Sequence, residues 1–277
     1  MLQKELLPEY SVLISVYHKD TPIWFEMAVD SMADQSLPPR EIIIVEDGQL
    51  TEELYIAEQR CMQRYPALVH IVSLKQNQGL AAAMRYGIQK CQCEWIARMD
   101  ADDVSERTRC EEELRMAVVE NADIVGCDCE EFFETIEKPA TKRLFPATHE
   151  ELVRFSRRRT PFCHPAVMMK KSVVLNVGNY RDVYLHEDYD LFVRILAGGY
   201  RGCSVKKILY HIRIGREFYG RRGGIRYVKA LLHYNVHLLQ SGWMKPTDFL
   251  MRSCGNIIVG LAPVEVRSWC YRRLLRK

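Results

Sequence analysis

The quartet Asp100-Ala101-Asp102-Asp103 is the part of this 277-residue chain whose residue types most directly suggest chemistry. It follows an apolar run at residues 95–99, which predicts a buried strand. Carboxylates at a strand end lie at the carboxyl edge of the sheet, where open α/β sheets bind ligands. Crowded carboxylates repel one another unless a cation lies among them, and Mg²⁺ or Mn²⁺ is the usual cation beside phosphates. The sequence therefore predicts a metal–diphosphate site.

Two further acidic clusters occupy comparable places. Glu46-Asp47 ends an apolar run, and Glu187-Asp188 together with Asp190 begins a helical pattern. A lone aspartate at such a place is more often a helix cap than a ligand, and Asp103 could cap a helix that begins near Val104. Three clusters in this order favour a site, because two of them end buried strands at the same sheet edge.

The elements that must position these clusters alternate between strand and helix. Strands are predicted over 10–17, 41–45, 70–74 and 94–99, and helices over 22–38, 51–65, 79–90 and 106–119, followed by short strands at 124–127 and 166–169, a helix at 188–196 and basic helices beyond Tyr210. This alternation predicts a parallel sheet with right-handed crossovers.

Charge is unevenly distributed along the chain. Residues 200–277 contain sixteen Lys/Arg against three Asp/Glu, a balance of +13, and since the whole chain carries +3, residues 1–199 carry −10. We therefore expect a main domain at 1–210 and a basic extension at 211–277. A basic region of this kind suits an anionic surface. Membrane headgroups, a phosphorylated lipid and nucleic acid all remain open on charge alone.

The chain begins without a signal-peptide pattern, and no apolar run reaches the roughly 18 residues needed to span a membrane. The ten cysteines include the pairs Cys91/Cys93 and Cys127/Cys129, whose spacing favours packed thiols over a zinc site. These features predict a cytoplasmic protein with reduced cysteines.

Five segments of the chain together resemble family-2 glycosyltransferases of the GT-A fold. They lie at residues 11–17, 43–48, 77–83, 99–103 and 187–191. The stretch at 213–224 is most similar to bacterial exopolysaccharide and lipopolysaccharide enzymes, including amylovoran-type transferases. The resemblance covers essentially the whole chain. It implies an α/β fold with a Rossmann-like, mostly parallel central sheet flanked by helices, and a basic helical C-terminal extension.

The resemblance assigns a set of positions to the nucleotide sugar: Val16, Tyr17, Asp47, Gly79, Arg98, Asp100 and Ala101. Within this set, Tyr17 and Asp47 match contacts to the base, and Asp100 matches a ribose or nucleotide contact. Met84-Arg85 stands where the family often has Arg-Asn, which contacts the nucleotide or its phosphates. Arg85 or Arg98 is expected to make this contact instead.

The resemblance also implies the catalytic centre. Asp102 matches the carboxylate that binds the divalent ion, and Asp188 matches the general base of inverting members, with Glu187 beside it. His211 is a candidate third metal ligand, because imidazole is tolerated by Mn²⁺, although a lone histidine is usually structural.

The function that this resemblance implies is a metal-dependent, inverting transfer of a hexose from a nucleotide-diphospho-sugar, with UDP expected, to a surface polysaccharide or lipid-linked glycan. The expected cofactor is Mn²⁺ or Mg²⁺. A sugar-phosphate nucleotidyltransferase is the alternative enzyme, but residues 15–19 lack the glycines of its phosphate loop. The other alternative is a non-enzymatic nucleic-acid-binding or scaffold protein, and because no recognised nucleic-acid module occurs, no nucleic-acid partner is expected.

The C-terminal residues suggest a place for the enzyme in the cell. Trp269, Tyr271, Leu274 and Leu275 interleave with arginines up to residue 277. Such a pattern indicates either an interfacial helix on anionic lipid or an ordinary packing helix with a charged outer face. The first alternative predicts peripheral contact with the inner face of the cell membrane, where a lipid-linked acceptor would lie.

Overall fold

A computed structural model describes residues 7–215 and 223–270. The N-terminal half runs β1 (Tyr10–Val16), α1 (Pro22–Ala33), β2 (Glu41–Asp47), α2 (Glu52–Arg64), β3 (Val69–Leu74), α3 (Leu80–Lys90), β4 (Trp95–Asp100), β5 (Val104–Ser105), α4 (Arg109–Glu120) and β6 (Ile124–Phe132). The second half runs β7 (Pro139–Arg143), α5 (His149–Ser156), β8 (Val167–Lys170), α6 (Lys171–Asn176), α7 (Glu187–Ala197), β9 (Gly202–Arg213), α8 (Ile225–Gln240), α9 (Pro246–Leu261) and α10 (Val264–Cys270).

The strands form one mixed sheet in the order β3-β2-β1-β4-β8-β6-β9-β5, with β7 paired to β6. The first four strands are parallel, as the alternation of strands and helices predicts. Val16 pairs with Glu46, and Ser15 pairs with Asp100. The acidic ends of β2 and β4 therefore flank the end of β1 at one edge of the sheet.

Helices cover both faces of the sheet. On one face, α1, α2 and α4 pack against residues such as Val12 and Ile14 of β1. On the other face, α3, α6 and α7 pack against Leu13 and its neighbours. Successive residues of β1 thus enter opposite cores, which explains why the strand is a nearly continuous apolar run.

Three strands are absent from the sequence prediction: β5, β7 and β9, and the end of β9 at 211–213 replaces the start of the predicted helical extension. The predicted helix at 106–119 begins only at Arg109, because the backbone N–H of Glu106 donates to the carbonyl of Leu209 and continues the pairing of β5 with β9. The predicted helix cap at Asp103 is wrong for the same reason. The predicted domain boundary at residue 210 falls inside β9, which continues to Arg213.

The predicted helical C-terminal region is confirmed. The backbone N–H of Gly224 donates to the carbonyl of Gly260, and Asn235 Nδ2 donates to Ser253 Oγ at 3.0 Å, so α8 and α9 run antiparallel. A small apolar cluster that includes Tyr189 of α7 and Tyr234 of α8 joins this pair of helices to the sheet domain.

Within residues 7–215 and 223–270, no helix is both long and apolar enough to cross a membrane. The predicted interfacial segment is described only up to Cys270, so Tyr271, Leu274 and Leu275 lie outside the described residues, as do residues 216–222 of the stretch that resembles polysaccharide enzymes.

Candidate active site

A cavity of about 390 Å³ lies at the carboxyl ends of β1, β2 and β4. Its lining is formed by Ser15, Val16, Tyr17, Asp20, Asp47, Asn77, Gly79, Leu80, Asp100, Ala101 and Asp102. The predicted donor-site residues therefore come together here, with the exception of Arg98. We call this space the donor cavity. It forms because parallel strands deliver their following loops to the same edge.

Asp47 holds one wall of the donor cavity in place. Its two carboxylate oxygens accept hydrogen bonds from the backbone N–H groups of Gln78 and Gly79, at 2.7 and 2.9 Å. Gly48 follows at φ +82°, and a Cβ there would lie 2.3 Å from the backbone nitrogen of Asn77. Only glycine allows this close approach, so β2 and the start of α3 are fastened together beside the cavity.

The acidic quartet supplies a cluster of carboxylates. Asp100, Asp102 and Asp103 each place an oxygen within 4.8 Å of the other two. Burial and the charge of Asp100 raise the pKa of Asp102 to about 6, and burial and the two neighbouring charges raise the pKa of Asp103 well above its usual value. Asp103 Oδ2 is buried and has no hydrogen-bond partner within the described residues.

Asp20 adds a fourth carboxylate to this end of the cavity. It accepts a hydrogen bond from the backbone N–H of Tyr17 at 2.9 Å. Burial raises its pKa to about 7, and the charges of Asp102 and Asp100 contribute in the same direction. The sequence prediction did not include Asp20, because it lies in a loop and not at the end of an apolar run.

Arg98 lies behind the donor cavity and not in its lining. The side chain is buried, and Nη2 lies 2.5 Å from Asp100 Oδ1. Nε and Nη1 have no hydrogen-bond partner in the described part of the chain. The guanidinium also lowers the pKa of Asp188, although burial raises it overall. Arg98 thus connects the carboxylate cluster electrostatically to the predicted base.

Strand β9 brings Arg213 to the same cluster. Its backbone N–H donates to Asp103 Oδ1 at 2.7 Å, and Nε donates to the carbonyl of Asp102 at 2.9 Å. The guanidinium carbon lies 4.7 Å from the ring centre of Trp24 and 4.5 Å from that of Phe132. The two rings hold this cation at the edge of the acidic cluster.

The structure does not bring His211 into the carboxylate cluster. Nδ1 lies 2.9 Å from Glu130 Oε1, and Nε2 lies 2.7 Å from Glu106 Oε1. Both ring nitrogens therefore have carboxylate partners, and His211 is not among the described groups whose ligand atoms gather at Asp102. This arrangement matches the structural alternative for a lone histidine, and a role in metal binding stays a prediction.

Glu187 and Asp188 begin α7 on the other side of α3. A cavity of about 340 Å³ is lined by Glu187 and shares Gly79 and Leu80 with the donor cavity, so the two spaces adjoin. Burial and the charge of Asp188 raise the pKa of Glu187 to about 7. Burial also raises the pKa of Asp188, whereas the charge of Arg143 on β7 and the backbone N–H of Tyr189 lower it. This is the arrangement expected of a base whose pKa is tuned by its surroundings.

The family model described as glycosyl transferase family 2 matches residues 11–177. A galactosyltransferase of Escherichia coli, named UDP-Gal:alpha-D-GlcNAc-diphosphoundecaprenol beta-1,3-galactosyltransferase, is 32% identical over 98% of this chain and 98% of its own length. This chain belongs to glycosyl transferase family 2. The predicted enzyme class is thereby confirmed over the nucleotidyltransferase and the non-enzymatic alternatives.

Other relatives of this family-2 glycosyltransferase agree with the resemblance. The amylovoran biosynthesis glycosyltransferase AmsE of Erwinia amylovora is 30% identical over 95% of this chain and 98% of its own length. Among solved structures, the mannosyltransferase PcManGT from Pyrobaculum calidifontis, in complex with GDP-Man and Mn²⁺, aligns with a TM-score of 0.67 at 17% identity, over 90% of this chain and 69% of its own. The match confirms the predicted GT-A fold.

The carboxylate cluster of this transferase, Asp100, Asp102 and Asp103, has the chemistry that a hard divalent cation requires. Three carboxylates converge, one buried oxygen lacks a hydrogen-bond partner within the described residues, and oxygen ligands are those that Mg²⁺ and Mn²⁺ prefer. Without a cation the three charges would repel one another at close range. Asp103 belongs to this group, although the sequence prediction named Asp102 as the metal ligand and offered a helix cap as an alternative for Asp103.

Proposed function

We propose that this transferase moves a hexose from a UDP-sugar to a lipid-linked glycan, with inversion at the anomeric carbon. The observation that carries the proposal is the adjacency of two cavities, one ending in three carboxylates and the other lined by Glu187 beside Asp188. The galactosyltransferase that is 32% identical over nearly the full length of both chains is named for UDP-Gal and for a diphosphoundecaprenol acceptor. Its name supplies the substrate classes of the proposal.

In the proposed reaction Asp188 is the general base. The acceptor oxygen forms a bond to the anomeric carbon, the bond from that carbon to the diphosphate breaks, and the nucleoside diphosphate leaves with the electron pair. The hydroxyl proton passes to the Asp188 carboxylate, a step that typically contributes about 10²–10⁴-fold in rate. Glu187 adds negative charge beside a transition state with positive character at the sugar. Attack from the side opposite the diphosphate gives inversion.

The donor is held by residues of the donor cavity. Tyr17 and Asp47 would contact the base, and the backbone near Val16, Gly79 and Ala101 would follow the nucleotide. Asp102, with Asp100 and Asp103, would hold Mn²⁺ or Mg²⁺. The chemistry that such an ion supplies is neutralisation of negative charge on the departing diphosphate. Arg98, with two donors that lack partners among the described residues, supports Asp100 from behind.

We also propose that the enzyme works at the inner face of the cell membrane. Helices α9 and α10 expose a set of apolar side chains, here called the apolar face: Leu250, Met251, Ile258, Leu261, Val266 and Trp269. They belong to the part of the chain that carries the excess of Lys and Arg. Apolar side chains next to basic residues are typical of peripheral binding to anionic lipid, and a lipid-linked acceptor would be met there.

The donor assignment is tested by thermal unfolding with UDP-, GDP- and dTDP-sugars, each with and without Mn²⁺. A ligand that binds only the native state raises the melting temperature. We expect a Mn²⁺-dependent rise with UDP-sugars that Asp102→Asn abolishes and that the exposed control Asp34→Asn retains. A rise confined to another nucleotide would replace UDP. The anomeric configuration of the product, read by NMR, decides between inversion and retention.

A further inference from the structure

A third and larger cavity, of about 880 Å³, lies between the end of α5 and the start of α9. It is lined by Pro146, Glu151, Arg154, Phe155, Arg157, Arg158, Arg159, Lys245, Thr247 and Asp248. Within the described residues it has no lining residue in common with the donor cavity. Five of its lining residues are cations and two are carboxylates. We call it the basic cavity.

The two carboxylates do not neutralise all of these cations. Asp248 pairs with Arg158 at 2.7 Å. Glu151 accepts a hydrogen bond from the backbone N–H of Thr148 in the capping box that begins α5. Among residues 7–215 and 223–270, Arg154, Arg157 and Lys245 have no carboxylate partner. Arg157 Nε is also buried without a hydrogen-bond partner there.

The start of α9 adds a second, independent preference for an anion. This 16-residue helix begins after Lys245, and within the described residues no side chain caps its N-terminus. Thr247 and Asp248 of its first turn line the basic cavity. The free N–H groups and the positive end of the helix dipole attract phosphate groups at such a position. Arginines and a helix N-terminus together suit several phosphate oxygens at once.

The basic cavity is joined to the proposed catalytic base. Ser156 lies between Phe155 and Arg157 of its lining, and the carbonyl of Ser156 accepts a hydrogen bond from Tyr189 OH at 2.5 Å. Tyr189 follows Asp188 directly, and its hydroxyl also accepts a hydrogen bond from Arg252 Nη1 of α9. The wall of the basic cavity is therefore one hydrogen bond away from the residue that follows the proposed base.

We infer that the basic cavity binds the diphosphate of the acceptor, so that it is the subsite for a lipid-linked glycosyl diphosphate. The inference rests on the proposed function and specifies its acceptor. The apolar face begins at Leu250, two residues after Asp248 at the wall of the cavity. Helix α9 thus carries both the phosphate-facing N-terminus and side chains suited to the lipid that continues from the diphosphate.

Calorimetric titration with geranyl diphosphate in EDTA tests the site without requiring turnover. We expect binding that weakens at least tenfold in the double variant Arg154→Gln/Arg157→Gln. The matched control is Arg60→Gln, an exposed arginine of α2, which should bind as the wild type does. Geranyl monophosphate should bind more weakly than the diphosphate. Absence of binding to the wild type, or equal binding by the double variant, would overturn the inference.

Binding to vesicles shows whether the anion in the basic cavity is the acceptor diphosphate or a membrane headgroup. Cosedimentation is measured with phosphatidylglycerol and with phosphatidylcholine vesicles. If the double variant loses binding to phosphatidylglycerol but binds geranyl diphosphate normally, the cavity serves headgroups and the inference is wrong. The proposed function fails separately: arginine-dependent binding of geranyl diphosphate without hexose transfer from any UDP-sugar would refute the function and leave the anion site standing.

Discussion

At the scale of single residues, the active site gathers charges that the fold must hold together against their repulsion. Asp100, Asp102 and Asp103 share a space less than 5 Å across, and within the described residues only Asp100 forms an ion pair, with Arg98 at 2.5 Å. Side chains selected for folding alone would not be placed in this way. Carboxylates that repel one another, and so destabilise the fold, are expected where a site binds a cation.

Asp102→Asn should abolish catalysis while leaving the fold intact. Removal of one of three crowded negative charges lowers their repulsion, so the free energy of unfolding should stay the same or rise in the absence of metal. Turnover should fall by at least about 10²-fold, because charge on the departing diphosphate is no longer neutralised. Both quantities are measured beside the exposed control Asp34→Asn. Full activity of Asp102→Asn would exclude it as a metal ligand.

Glu187→Gln should leave the acid side of the pH–rate profile in place. The base must be ionised to accept a proton, so kcat/KM falls as pH drops through the pKa of Asp188. Burial and the charge of Asp188 raise the pKa of Glu187 to about 7, whereas burial and the charges of Arg143 and Arg98 act on the pKa of Asp188. Because Asp188 ionises first, Glu187 is protonated where Asp188 titrates, and its replacement by neutral Gln removes no charge there. A displaced acid limb would assign the titration to Glu187 instead.

Arg143→Gln should move the acid limb of the same profile to higher pH. The charge of Arg143 lowers the pKa of Asp188, against the larger rise caused by burial. Its loss raises that pKa, and the acid limb moves to higher pH. The pH–rate profile of this variant is measured beside that of Glu187→Gln, and a general loss of stability would not move the acid limb in one direction. An acid limb of Arg143→Gln that stays in place or moves to lower pH would contradict the assignment of Asp188.

At the scale of secondary-structure elements, the loops that form the donor cavity are held by side chains that also line it. Asp47→Asn should therefore lower stability as well as donor affinity. An asparagine offers one carbonyl oxygen where the aspartate accepts from both Gln78 and Gly79, so one part-buried N–H loses its partner. Such a hydrogen bond contributes about 0.5–1.5 kcal/mol. Chemical denaturation beside Asp34→Asn measures the change, and an unaltered midpoint would show that the wall does not depend on Asp47.

The parallel half of the sheet could be predicted from the sequence, whereas the antiparallel half could not. Strands β1, β2 and β4 are buried on both faces, and their apolar runs are visible locally. Strand β9 is interrupted by exposed Lys206 and Lys207, where its pairing with β6 also shifts register. Its partners are distant in the chain, since Gly202 pairs with Ile124 of β6 and His211 pairs with Val104 of β5, so no local pattern reveals them.

The candidate site could also be predicted only where local sequence patterns place its residues. Residues that follow predicted strands, such as Asp47 and Asp102, could be placed at the sheet edge from the sequence. Arg213 and the carboxylate partners of His211 depend on the pairing of β9 with β5 and β6, and Arg143 depends on β7. These contacts bring together charges that are distant in sequence, which neither spacing nor composition encodes.

At the scale of the whole molecule, charge and apolar exposure are separated along the chain. Residues 1–199 carry −10 and hold the acidic cluster, and residues 200–277 carry +13 and hold the apolar face. A negative body is repelled by an anionic bilayer, whereas the basic region is attracted to it. The enzyme is therefore expected to approach a membrane with α9 and α10 toward the lipid.

Ile258→Ser/Leu261→Ser should weaken binding to vesicles that contain phosphatidylglycerol. The two side chains are 70% and 53% exposed, and withdrawing an aliphatic side chain fully from water is worth about 1.5–3 kcal/mol. Partial insertion of both should make the double variant bind roughly tenfold more weakly in cosedimentation, a change of about 1.4 kcal/mol. Val119→Ser is the matched control, since Val119 is 77% exposed on α4 of the acidic body. Equal losses for the control and the double variant would mean that exposed apolar area in general, and not the apolar face, governs adhesion. High salt should weaken both the wild type and the double variant, because the attraction of the basic residues to the lipid is screened in each.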